Sequence, residues 1–163
     1  MTDSARTVHW LDAGQQRTWR AFLMGTTLLM DRLDDDLRRA FNISLVEYEI
    51  LVRLSESEGG RLRMAQLADA LAHSRSRVTH TVARMEAAGL VQRSTSPEDG
   101  RGILATMTPK GHDLLVRVAP VHVTGVRDHL VDLVSPEDLA AVGRVFNAVS
   151  DHLVAAHPEM EMR

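Results

Sequence analysis

The 163-residue chain contains no cysteine. Disulfide scaffolds, thiolate zinc sites and thiol nucleophiles are excluded in one step. Aromatic residues make up only 4%, too few for a typical β-sandwich core or a surface that stacks single-stranded bases. No run approaches the roughly 18 consecutive apolar residues of a membrane span. The first residues, MTDSARTVHWLDAG, lack the basic-then-apolar pattern of a secretory signal. A cytoplasmic protein with no membrane partner is the expectation. Glycine-rich phosphate loops, G-x-S-x-G elbows and dense acid–base clusters are missing as well, so no enzyme is expected. Eight histidines are present, and His122 and His129 could share a helix face. With no HExxH pattern and no cysteine, they read as scattered surface side chains, and neither a metal nor a cofactor is expected.

What is there is ordinary globular material, 44% hydrophobic and 25% charged, long enough to build one core unaided. The net charge of −3 hides an asymmetry. Residues 61–111 hold eight Lys/Arg against four acids, a local +4 that leaves −7 for the rest. Such a split suggests one anion-facing surface on an acidic body.

Apolar periodicity predicts a long first helix over about 13–39, with Trp19, Phe22, Leu23, Thr26, Met30, Leu33 and Leu37 on one stripe. Ser44-Leu-Val-Glu47 is a capping-box pattern that starts a second helix, with Leu45, Tyr48, Leu51, Val52 and Ser55 on one side and Gly59-Gly60 as the stop. A very short extended piece at 61–63 precedes a third helix over 64–72, which lacks a capping residue because Arg63 stands before it. The fourth helix covers about 74–88 and buries Val78, Val82 and Met85. The period then changes to that of a hairpin, 90–94 and 102–107, around the turn Pro97-Glu98-Asp99-Gly100. Thr108-Pro109 opens a fifth helix with an irregularity expected near Pro120, and Ser135-Pro136 opens the last. This is a mainly α chain with a small β-hairpin wing, the order of a winged helix-turn-helix. The long N- and C-terminal helices carry more apolar stripe than one lobe can cover, which points to a homodimer.

The chemistry gathers on the fourth helix. Stepping 100° per residue from Val78 turns Ser76, His80 and Arg84 outward, with Arg77 beside them, Thr79 and Thr81 on the flanks and Arg75 in the first turn. Arginine reaches guanine acceptors in a major groove, and hydroxyls and imidazole meet bases or phosphates. Alone, such a face is equally a solvated helix surface. The adjoining hairpin favours the DNA reading, because Arg101 at its tip suits a narrow minor groove and Asp99 could orient it. Four phosphates neutralised per lobe would give a salt slope of about −7 for the dimer.

At these residues a resemblance becomes specific. Met85-Glu86-Ala-Ala-Gly89-Leu90-Val91-Gln92-Arg93, Asp99-Gly100-Arg101 and Met107-Thr108-Pro109-Lys110-Gly111 resemble the MarR family of bacterial transcription regulators, with methionine at 85 and 107 where leucine is usual. The resemblance implies a single unit over 1–163: a DNA-binding lobe at 44–107 and dimerisation helices at 8–42 and 108–163. It implies a transcriptional regulator, in all expectation a repressor, that binds a pseudo-palindromic operator on double-stranded DNA as a homodimer and is released by a small ligand. The DNA-binding residues are then Arg75, Ser76, Arg77, Thr79, His80, Arg84, Asp99 and Arg101. Family pockets lie between the dimer helices and the lobe, where Trp19 and Arg20 could hold a small aromatic or anionic effector; packing in the dimer core is the plainer role for Trp19. The competing reading is a helical dimeric scaffold for protein partners without sequence-specific DNA binding, which would have no use for the cationic helix face and the hairpin arginine together.

Overall fold

In the computed structural model, residues 8–96 and 102–155 are described. The first helix, α1, covers Ala13–Phe41, two residues beyond the expected end. Asp12 caps it, accepting from the Gln15 amide at 2.8 Å while Gln15 reaches back to the Asp12 amide. Asn42, left-handed at φ 56°, ends it. Helix α2, Leu45–Glu56, opens on the anticipated capping box. Its buried face is Leu45, Tyr48, Ile50, Leu51 and Leu54, whereas Ser55, expected on that side, is exposed. The helix stops at Ser57, before the glycines. Gly59 and Gly60, both at positive φ, instead turn the chain into β1, Arg61–Arg63.

Helix α3 is Met64–Ala70, shorter than expected, because Ala72 takes a left-handed φ of 50° in the tight turn to α4. The missing Arg63 cap is answered from the other side: the Gln66 side-chain oxygen Oε1 accepts from the Arg63 amide. Helix α4, Arg75–Ala87, starts on Ser74 and ends before Gly89 at φ 74°. Strands β2, Val91–Thr95, and β3, Ile103–Met107, form the expected hairpin. They belong to a three-stranded antiparallel sheet of order β1-β3-β2, in which Ala105 of β3 lies opposite both Leu62 and Arg93. The short extended piece expected at 61–63 is this β1, but three residues have too little pattern to announce β3 as its partner.

Helix α5, Pro109–His129, is capped by Thr108 and continues unbroken through Pro120. Proline has no N–H to give the Val116 carbonyl one turn earlier, so the irregularity expected there is confined to a missing backbone bond within a continuous helix. Helix α6 covers Pro136–Ala155. One core joins the lobe to the C-terminal third of α1: Leu33 and Leu37 pack with α2, Leu67 and Ala68 of α3, Val78, Val82 and Met85 of α4, Ala105 of β3, and Leu114 and Val118 of α5. The N-terminal two thirds of α1 and all of α6 bury no residue fully.

Candidate nucleic-acid interface

The recognition helix candidate is α4, and its placement follows from its sequence. Val78, Val82 and Met85 are completely buried, so the opposite side must face out. Arg75, Ser76, Arg77, Thr79, His80 and Arg84 are all exposed. Thr81, expected on a flank, is buried instead, and its hydroxyl donates to the Arg77 carbonyl at 3.0 Å. Ser74 satisfies the Arg77 amide. The remaining free amides of the first turn and the helix dipole favour an anion at this end. The outer face carries no acid, because Glu86 turns away to β2.

That turn of Glu86 explains one half of the family-like motif. Its carboxylate accepts from the Arg93 amide at 2.8 Å and from Arg93 Nε and Nη2 at 2.8 and 2.7 Å. The backbone bond first, then the guanidinium, holds this carboxyl below its ordinary range. Glu86 and Arg93 therefore lock the recognition helix to the wing. Lys110 is also occupied, with Nζ donating to the Ala88 carbonyl at 2.7 Å. Two of the eight basic residues of the middle segment thus serve the fold, which composition does not reveal. Among the described residues, Arg75 and Arg77 form no side-chain hydrogen bond or ion pair.

The exposed face divides. Ser76 and His80 point outward, while Arg77 and Arg84 lie on the flank toward α1 and α2. There they line a cleft of about 350 Å³ with Met30, Asp34, Arg38 and Ser44. Arg84 is not wholly outward as expected: Nη2 stands 3.7 Å from Glu47. Asp99 and Arg101 lie outside the described residues.

Within a single chain, Trp19 and Arg20 do not line the same groove. Trp19, half exposed, stacks on Phe22 at 5.4 Å, which in turn meets Phe146 of α6. With Leu11, Val145 and Val149 they line an apolar groove of about 660 Å³. Arg20 is not in that lining, and its Nη2 meets Gln16 on the same helix. Two residues adjacent in a helix point about 100° apart, so they share a pocket only at its edge.

His122 is half-buried rather than on the surface, its ring 4.5 Å from that of Tyr48 and its Nδ1 buried without a partner. Burial pushes its pKa down. Among the described residues, no group of three or more His, Asp or Glu side chains is arranged to hold a metal, and no helix is long and apolar enough to cross a membrane.

Comparison with known proteins agrees with this arrangement. The sequence pattern of the MarR family matches residues 41–102. Sco3205, a MarR family transcriptional regulator from Streptomyces coelicolor with a crystal structure in complex with DNA, is 40% identical. The match covers 91% of this chain and 92% of that one, at a TM-score of 0.88. AbsC, a MarR family transcriptional regulator from the same organism, is 42% identical over 91% of this chain and 99% of that one, at a TM-score of 0.86. The transcriptional regulator PecS of Dickeya dadantii is 29% identical over 133 residues, 81% of this chain and 80% of its own. Identity at this level along nearly the whole length, with the same winged helix-turn-helix, places the chain in the MarR family of transcriptional regulators.

Proposed function

We propose that the protein binds double-stranded DNA in the cytoplasm as a homodimer and represses transcription from a pseudo-palindromic operator. The observation that carries this reading is the α4 face: exposed, cationic, free of acids and clamped to a wing by Glu86 and Arg93. Ser76, Thr79 and His80 are placed to meet base edges, while Arg75, Arg77 and the α4 N-terminus hold phosphates. Arg101, with Asp99 behind it, is assigned to the minor groove on its sequence position alone. The domain division follows the same logic, with the lobe at 44–107 and the dimer helices outside it. A dimer sets two α4 helices about one duplex turn apart, roughly 10 bp centre to centre.

An effector-release step is part of the proposal. The cleft beside α4 holds Asp31 and Asp34 as well as Arg38, Arg77 and Arg84. With Arg38 bonded to Asp34 and Arg84 beside Glu47, Arg77 is the uncommitted positive charge there among the described residues. A small effector that meets it touches the recognition helix. The Trp19 groove offers no cation.

Selection of bound duplexes from random DNA, followed by titration in salt, tests the reading. A dyad with two half-sites is expected. Because Arg93 and Lys110 are committed internally, about three phosphates per lobe remain and the slope of log K against log salt should be near −5 rather than −7. His80→Ala should cost about 1–3 kcal/mol and relax the preference at one position per half-site. Selection without any dyad, or a slope shallower than about −2, would leave the scaffold reading in its place.

A further inference from the structure

Helix α1 belongs to two parts of the molecule. Its N-terminal length presents the apolar groove with α6, and its last turns, through Leu33 and Leu37, sit in the core of the lobe. Any change in angle where α1 meets α2 therefore moves the recognition helix relative to whatever holds the other end. The corner is Asn42-Ile43-Ser44, entered through the left-handed Asn42.

One side chain bridges this corner. Asp34 Oδ1 accepts from the amide of Leu45, the first residue of α2, at 2.8 Å and eleven residues away in sequence. Its other oxygen accepts from Arg38 Nε, one turn further along α1. Burial alone would push the Asp34 carboxyl up. The hydrogen bonds from Arg38 and Leu45, with the Arg38 charge, outweigh that and hold it below the ordinary range, so it is ionised at neutral pH. The link continues on the far side. Glu47, two residues after Leu45, accepts from the Ser44 amide and hydroxyl at 2.7 Å each and faces Arg84 of α4 at 3.7 Å. The polar path from α1 to the recognition helix thus runs through Asp34, the first turn of α2 and Arg84.

The lever is long. Ala13 lies 21 residues before Asp34, about 31 Å at 1.5 Å per residue. A tilt of about 10° at the corner displaces the far end by about 5 Å, more than the roughly 3.4 Å of one base step.

We propose that Asp34 is a positioning residue that sets the separation of the two recognition helices, and with it the half-site spacing the protein accepts. This rests on the duplex-binding dimer proposed above. The test uses the full chain and the duplex found by selection, remade with its half-sites one base pair closer or farther apart. The parent should lose about tenfold or more on either change. Asp34→Ala should lose no more than about threefold, while its affinity for a single half-site stays within about twofold of the parent. Asp34→Asn retains an acceptor for the Leu45 amide and should recover most of the discrimination.

The same bond can be removed from the donor side, should Asp34→Ala fold poorly. Leu45 is the first helical position, where proline is tolerated and lacks the N–H. Leu45→Pro should lose spacing discrimination, whereas Leu45→Ala, with similar loss of packing, should keep it. Undiminished discrimination in Asp34→Ala, or in Leu45→Pro where Asp34→Ala does not fold, overturns the assignment of Asp34. A parent that selects no dyad overturns instead the duplex-binding reading beneath it.

Discussion

A histidine that composition assigns to the surface shows how much one side chain's surroundings matter. His122 lies against Tyr48 with Nδ1 buried and unpartnered, and burial lowers its pKa from the ordinary 6.5. In the unfolded chain the imidazole binds a proton near that ordinary value; in the fold it resists doing so. Between the two values the unfolded state therefore carries more protons, and stability falls as pH drops through about 6.5. It levels only below the folded value. His122→Phe keeps a ring against Tyr48 and has nothing to protonate, so it should flatten this part of the acid limb. Melting temperatures of parent and variant at pH 7.5 and 5.5 check it: equal losses in both would show that His122 does not contribute. No pattern in the sequence announces this residue, because its burial arises from α5 crossing α2.

Among the elements, the joint between α4 and α5 carries the other half of the family-like motif. Thr108 accepts from the Gly111 amide at 3.1 Å and donates to the Gly89 carbonyl at 2.7 Å, so the residue that starts α5 also ties down the end of α4. Gly111 lets α5 come close. A Cβ added there would stand 2.2 Å from the Leu90 carbonyl oxygen and 3.1 Å from Met107. The nearest obstacle is backbone, which cannot rotate away. Gly111→Ala should cost toward the upper end of the roughly 1–3 kcal/mol typical of overpacking, read by urea denaturation. Lys110→Met at the adjacent exposed position loses only the bond to Ala88 and should cost about 0.5–1.5 kcal/mol. A Gly111→Ala variant as stable as the parent would mean that the first turn of α5 can shift freely. The sequence marked Thr108 as a cap and Gly111 as part of a resemblance; the reason for the glycine lies in a neighbour 21 residues earlier.

For the molecule as a whole, the unsatisfied feature is the apolar face shared by α1 and α6. Trp19, Leu23, Met24, Leu28, Val145, Phe146 and Val149 are all exposed, and α6 buries no residue in a single chain. Continuous apolar surface of this kind marks an interface, and a self-complementary pair of long helices fits a twofold dimer. The chain should therefore sediment as a dimer at micromolar concentration. Phe146→Lys places a charge in the centre of the groove and should shift it toward monomer, weakening operator binding far more than binding to random duplex. A parent that sediments as a monomer would contradict the proposed assembly. The duplex-facing side depends on it too, since a lone lobe offers one helix to one groove.

Much of this was legible in the chain itself. Ser44, Ser74, Thr108 and Ser135 stand where helices begin, Gly89 and Asn42 where they end, and Val78, Val82 and Met85 at the spacing that turns the cationic side of α4 outward. These are local signals, because capping, positive φ and a 3.6-residue period act within one or two turns. The tertiary structure alone decided which charges remain available and which join elements: Arg93 held by Glu86, Lys110 by Ala88, Asp34 by the Leu45 amide, Arg84 beside Glu47. It also paired β1 with β3 and set His122 against Tyr48. Such outcomes depend on the direction in which a side chain meets a residue far along the chain, and charge counts and periodicity carry no record of that direction.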